Sequence, residues 1–280
     1  MRKRIILAVV ILIVLILLLR SMASYSRKNE ADNHATVVED TVLSEKLYSD
    51  NDIVITLDNL KGLETFEITI INNRDSDIFF NIDGVAVNHC MVYDIVSSNI
   101  VASGKKTVIS YDIRGAQDYG ITYVENIGVG ISLNSADYSL NESALAFYQL
   151  NENTTFIYKE PTKRIYDDEN CTAFISAQDN QFKNINAVYL NKTGQTISFY
   201  FIEASINSIM LEQQSILSYT YVFPNCYAYT GVSTGATTIY SSLAEEIKAK
   251  GLETVNELSG KLYVSGDQSY KTKVITVLFN

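Results

Sequence analysis

The chain opens with fifteen consecutive apolar residues, Ile5 to Leu19, bounded by Arg2-Lys3-Arg4 and by Arg20. A helix that is apolar on every side belongs in hydrocarbon rather than on a protein surface. At ~1.5 Å per residue the run covers about 22 Å of a ~30 Å bilayer core, so spanning requires Arg4 and Arg20 to snorkel and Ser21 to Tyr25 to extend the helix. Residues 1–25 are therefore expected to form a single-pass membrane anchor whose basic N-terminus stays in the cytoplasm. The rival reading is a cleaved signal peptide, since Ser21-Met22-Ala23 offers the small residues a signal peptidase reads. Arg20 abutting a long Leu/Ile-rich run favours retention, and both readings export everything after residue 25.

Residues 26–45 are polar, without sustained periodicity, and read as a tether. Beyond it the apolar positions alternate with period two. Strands are predicted near 52–58, 64–72, 77–87, 105–112, 125–133, 144–150 and 154–159, separated by turn residues such as Asn72 to Asp77. About seven short alternating strands are the pattern of a β-sandwich. Lys159 to Lys163, with one of only two prolines, reads as an interdomain linker.

The pattern then recurs. Val101 to Leu133 aligns without a gap on Val232 to Val264, placing Gly104 on Gly235, Gly120 on Gly251, and Ile127, Ile131 and Leu133 on Leu258, Leu262 and Val264. The same offset sets Phe66, Ile68 and Ile70 on Ile197, Phe199 and Phe201. Leu47 to Asn51 instead resembles Ile165 to Glu169 at an offset thirteen smaller, which predicts an insertion at Phe182 to Leu190. Ser242 to Glu245 looks like a capping box opening a short helix that Gly251 ends. The expected fold class is all-β: two tandem Ig-like β-sandwich domains, 46–159 and 160–280, the second a diverged repeat of the first, after an N-terminal transmembrane helix.

Charge narrows the partners. Six basic residues (Arg2, Lys3, Arg4, Arg20, Arg27, Lys28) precede Glu30, leaving 22 − 6 = 16 basic against 32 acidic residues in the chain beyond Lys28. A net charge near −16 repels nucleic acid and other polyanions and leaves a neutral or cationic partner, or plain solubility, as its use.

Candidate chemistry is sparse. His89-Cys90 is the one His-Cys neighbourhood, and His34 sits in the tether, so no zinc set or Cys-His dyad assembles. Asp75 and Asp77, and Asp167-Asp168-Glu169-Asn170, have the oxygen density calcium prefers, yet they lack an EF-hand spacing and sit where turns favour Asp and Asn anyway. No nucleophile elbow, P-loop or dinucleotide fingerprint is present. No catalytic, cofactor-binding or metal-ligating residue is nominated. Of the three cysteines, Cys171 and Cys226 fall in the predicted second domain and could bond in an oxidising exterior, leaving Cys90 single. Tyr219, Tyr221, Tyr227 and Tyr229 form either an aromatic ligand platform or a strand pair with one face in the core; as a platform they must share one exposed face.

The run Phe66 to Leu133 resembles a β-sandwich module common in exported, membrane-attached proteins of low-GC Gram-positive bacteria. The likeness rests on the Asn-rich turn before an alternating strand, the Val87-Asn88 pair, the Ala102 to Lys105 turn and a Gly-Ile step. His89 stands where the module usually has Gly. The resemblance implies a fold and a location, and carries no activity. The expectation is a non-enzymatic binding or structural protein of the cell envelope, held at the membrane and meeting a protein or cell-wall ligand. The alternatives are an accessory subunit of an envelope complex and an envelope enzyme with a dispersed site.

Overall fold

The structure, a computed structural model, describes residues 41–92, 95, 97–136, 139–150, 163–177, 185–212, 215–232, 246, 249–252, 256–266 and 273–278. The predicted anchor and the tether as far as residue 40 lie outside them. Among the described residues no helix is long and apolar enough to cross a membrane.

The all-β expectation holds. The N-terminal lobe contains β1 (Thr41–Ser49), β2 (Ile53–Lys61), β3 (Thr65–Asn72), β4 (Ile78–Val87), β5 (Cys90–Val92), β6 (Ser97–Val101), β7 (Lys105–Asp112), β8 (Asn126–Ser135) and β9 (Asn141–Gln149), with a 3-10 helix at Arg114–Tyr119. The C-terminal lobe contains β10 (Arg164–Asp167), β11 (Cys171–Ala177), β12 (Ile185–Asn191), β13 (Ile197–Ile206), β14 (Ile209–Met210), β15 (Ser215–Val222), β16 (Tyr227–Val232), β17 (Glu257–Ser265) and β18 (Lys273–Leu278). The strand predicted near 154–159 lies outside the described residues. β1, β5 and β6 were not foreseen. β1 and β6 are largely polar and β5 spans three residues, so none shows an alternating apolar run. β1 also begins inside the stretch read as tether.

β1-β2-β3-β7 form one sheet, and β14-β13-β17-β18 another, with β15 also on β13. A nine-stranded sheet, β10-β11-β12-β16-β5-β4-β8-β9, runs through both lobes, with β6 also pairing β4. Directly paired residues share a face of a sheet, and successive residues alternate. Val85 with Val92 and Val87 with Cys90 face the N-terminal core, while the intervening pair Ala86 and Met91 faces the C-terminal one. The two smaller sheets thus cover opposite faces of the long sheet, each enclosing its own core.

The lobes share polar fixings. Asp50 Oδ1 accepts the amides of Asp52 and Ile53 while Tyr48 donates to Oδ2. Asp168 does the same for Asn170, Cys171 and Tyr166. Buried Asn72 donates to the carbonyls of Ser76, Val101 and Ala102 and accepts from the Arg74 amide. Asn191 repeats this with Gln195, Val222, Phe223 and Thr193. Asn88 accepts the amides of Glu125 and Asn126, as Asn207 accepts those of Asn256 and Glu257.

These fixings set β3 against β12 and β4 against β13, so the sequence alignment of Phe66, Ile68 and Ile70 with Ile197, Phe199 and Phe201 is corrected. Alternation alone matches any strand displaced by an even number of residues. Ile185 to Leu190, expected within an insertion, belongs to the core strand β12. Asn225 (φ 55°) takes the place of Gly104 (φ 64°) in the turn before the next strand; Gly235, aligned with Gly104 in the sequence, lies outside the described residues. The alignment of Ile127, Ile131 and Leu133 with Leu258, Leu262 and Val264 stands, because both sets line the inner faces of β8 and β17.

Candidate interaction surface

The fixings allow the outer sheet faces of the lobes to be compared position by position. On the N-terminal lobe the outward residues at the end of β4 and on β8 are small: Gly84, Ala86, Gly128 and Gly130. Phe223, from the turn between β15 and β16, lies in the hollow they leave. A Cβ built on Gly130 would stand 2.7 Å from the Phe223 ring, and one on Gly84 3.2 Å from it. Phe147 meets Phe223 edge-on with ring centroids 6.1 Å apart and stacks on His89 at 6.1 Å. The Tyr227 amide donates to the His89 carbonyl at 2.7 Å, and Tyr227 pairs in parallel with Cys90, which carries the sheet from one lobe into the other. Tyr229 meets Tyr119 of the N-terminal lobe at 5.8 Å. His89 has φ 61°, a value a glycine adopts freely; here the position carries a ring that packs on Phe147.

The corresponding positions of the C-terminal lobe are different. Glu203 stands for Gly84, Ser259 for Gly128 and Lys261 for Gly130. Lys261 and Glu203 form an ion pair, and Ser259 hydrogen-bonds Thr276 at 3.1 Å. Met210, in the place of Met91, is 57% exposed where Met91 is buried. Beside the ion pair, on the same outer face, Tyr200 and Tyr263 are cross-strand partners with rings 6.2 Å apart. Their N-terminal counterparts are Asn81 and Ser132.

β15 supplies a third tyrosine. Asn88 to Val101 spans 14 residues, whereas Asn207 to Val222 spans 16, though Val101 and Val222 hold the same place beside β4 and β13. The two extra residues appear as irregularities in the β13/β15 register, with Leu217 and Tyr221 at φ 49° and 59°. β6 pairs with β4 without any such shift. Bulges re-aim side chains, and a bulky residue at positive φ is a costly conformation. Tyr221, 56% exposed, points outward with its amide donating to Ser198 Oγ.

The tyrosines of the expected platform separate. Tyr219 is buried in the C-terminal core, Tyr227 packs on the N-terminal core, Tyr229 meets Tyr119, and only Tyr221 is open. Tyr200 and Tyr263 went unremarked in the sequence because one tyrosine in each of two distant strands makes no local run. Their signal was a tyrosine at an outward position of each alternating pattern. Likewise Gly128-Val129-Gly130, two outward glycines in one strand, signalled a close approach.

Cys171 pairs with Asn191, whose other neighbour is Cys226, so two strand spacings of about 4.8 Å separate the sulfur-bearing residues, beyond disulfide reach of about 7 Å. All three cysteines are free and buried. Burial pushes the Cys90 thiol up to about 12; burial, with Asp168 beside it, does the same for Cys171. Burial raises Cys226 as well. Burial also lowers the His89 pKa, against the pull of Glu125. Asp168 is committed to its turn, Asp77 accepts the Ser103 amide, and Asp167, held down at about 2 by the Lys192 hydrogen bond first and Thr172 next, is tied to neighbouring side chains. Asp83, half-buried on the bulge preceding Gly84, accepts from Ser132 Oγ at 3.0 Å, and burial raises its pKa.

No protein-family model matches the chain, and no curated protein does. Among solved structures the chain is similar to the YadV chaperone at 8% identity and a TM-score of 0.25, covering 81% of this chain and 100% of that one. It is also similar to the exo-chitosanase CsxA of Amycolatopsis orientalis, solved in complex with PNP-beta-D-glucosamine, at 9% identity and a TM-score of 0.20, over 75% of this chain and 25% of that one. Likenesses this slight carry no argument about this chain.

Proposed function

We propose that the chain is a membrane-anchored, extracytoplasmic protein of the cell envelope that works by binding rather than catalysis, its lobes being tandem Ig-like sandwich domains, 46–159 and 160–280, diverged from one module. The observation that carries the reading is the contrast between outer faces. The N-terminal lobe commits its face to the neighbouring lobe, while the described residues of the C-terminal lobe, farther along the chain from the anchor, leave the equivalent face partly exposed with tyrosines on it. The apolar run Ile5 to Leu19 behind a basic cluster supports the location. The shared polar fixings support the common origin.

A second reading, an accessory subunit of an envelope complex, draws support from β18, an edge strand whose Val274 and Leu278 are 70% and 56% exposed. Protease treatment of intact cells producing the full chain with a C-terminal tag tests the location. The expected outcome is loss of the tag from outside, with the untreated chain pelleting with membranes. A tag protected until lysis, or a mature N-terminus at Ser24, would defeat the anchored reading.

A further inference from the structure

We propose that the outer face of the C-terminal lobe is a glycan-binding strip built from Tyr221, Tyr200 and Tyr263 with the Lys261–Glu203 pair, and that its ligand is an uncharged polysaccharide. The proposal deepens the binding role given above and rests on it.

The argument begins with what the fold does not need. At the same positions the N-terminal lobe carries Ile100, Asn81, Ser132, Gly130 and Gly84, and folds into the same sandwich. The tyrosines and the ion pair are therefore additions to the module rather than requirements of it. They cannot serve lobe packing either, because an ion pair fills the place where glycines would admit a phenylalanine ring. Tyr221 is placed on this face by two extra residues and by a backbone conformation unfavourable to a bulky side chain, in a strand whose counterpart is regular.

The chemistry of the strip selects the ligand. Tyr200 and Tyr263 are cross-strand partners, and Lys261, pairing with Ile202, lies one outward position along from Tyr263. Tyr221 lies one outward position the other way, bonded to Ser198. With outward residues on a strand about 6.7 Å apart, these positions span about 13 Å. A pyranose presents an apolar C–H face that packs on aromatic rings and a rim of hydroxyls that bond to fixed donors and acceptors. Three tyrosines flanked by a half-exposed ammonium and carboxylate offer both along one line. The acidic excess of the exported part disfavours polyanionic glycans, so the ligand is uncharged.

The test uses the full chain in detergent, titrated with the uncharged β-linked tetramer of N-acetylglucosamine and, separately, cellotetraose, dextran and the polyanion hyaluronan. The sequence contains no tryptophan, so intrinsic emission reports tyrosine directly. Saturable quenching by at least one uncharged glycan is expected, with Tyr200→Ala and Tyr263→Ala each weakening it about tenfold, as loss of a ring contact does. Tyr200→Phe should retain binding, and Ile100→Ala on the other lobe should leave it unchanged. Melting curves keep loss of binding separate from loss of fold. Failure of all three uncharged glycans, tighter binding of hyaluronan, or binding untouched by the tyrosine substitutions would overturn the proposal. The location experiment stands apart, since a chain inside the cell could bind glycan in the cuvette and a chain at the surface could fail to.

Discussion

The two lobes are held by the same polar side chains and then differ where each meets its surroundings. Asn72 and Asn191, Asp50 and Asp168, and Asn88 and Asn207 do equivalent work in their turns. On the outer sheet face the likeness stops: Gly84 and Gly130 receive Phe223 and Gly128 receives Phe147, whereas Glu203 and Lys261 pair with each other and, among the described residues, receive no such ring. The turn residue equivalent to Phe223 in the N-terminal lobe is Ala102, which has no ring to insert. Ring and hollow thus occur once each, on different lobes, so the contact is made once. The difference teaches that buried polar turns specify the module, while its outward positions are free to be rewritten for a neighbour or a ligand.

The comparison is most severely tested at the buried asparagines. Asn191→Leu leaves the carbonyls of Gln195, Val222 and Phe223 without their donor, and Asn72→Leu does the same to Ser76, Val101 and Ala102. A loss of about 3 kcal/mol or more is expected from each, measured by urea unfolding. Equal losses would sharpen the parallel between lobes; a loss confined to one would break it.

Next in size is the junction. Phe223 is 2% exposed, and Phe223→Ala should cost about 3 kcal/mol and divide a single unfolding transition into two. Gly130→Ala, whose methyl would meet that ring, should cost roughly 1–3 kcal/mol in the parent and much less in the Phe223→Ala background. Additive losses in this double-mutant cycle would show that the ring and the hollow are not coupled. By contrast Lys261→Ala, removing an exposed ion pair from the equivalent position, should change stability by less than about 1 kcal/mol.

What the sequence revealed follows from the same division. Strand alternation and the turn residues were legible, because inward positions must be apolar and turns need Asn, Asp or Gly. The alignment went astray over Phe66, Ile68 and Ile70, since alternation cannot tell one strand from the next, while Asn72 and Asn191 could have fixed it. The tyrosine strip was hidden because its members come from β13, β15 and β17, brought together only by pairing. The tyrosines that were adjacent in sequence, Tyr227 and Tyr229 among them, were drawn into cores and the junction instead.

The smallest effect separates the lobes by pH. Asp83 precedes the glycine hollow, its carboxylate half-buried; the C-terminal lobe has Ile202 there, which cannot titrate. Burial raises the Asp83 pKa above its ordinary 3.8, opposed by the Ser132 hydrogen bond. The folded chain therefore holds this proton more tightly than the unfolded one, and the stability it lends is full below about pH 3.8 and is lost as pH rises through the elevated folded value. Asp83→Asn keeps an acceptor for Ser132 and removes the ionisation. Melting temperatures of the variant and the parent should run close together at the acid end and diverge towards neutrality, with the variant the higher. A gap that is constant with pH would mean that Asp83 is solvated on both sides of the transition, and that the carboxylate lies outside the influence of the junction beside it.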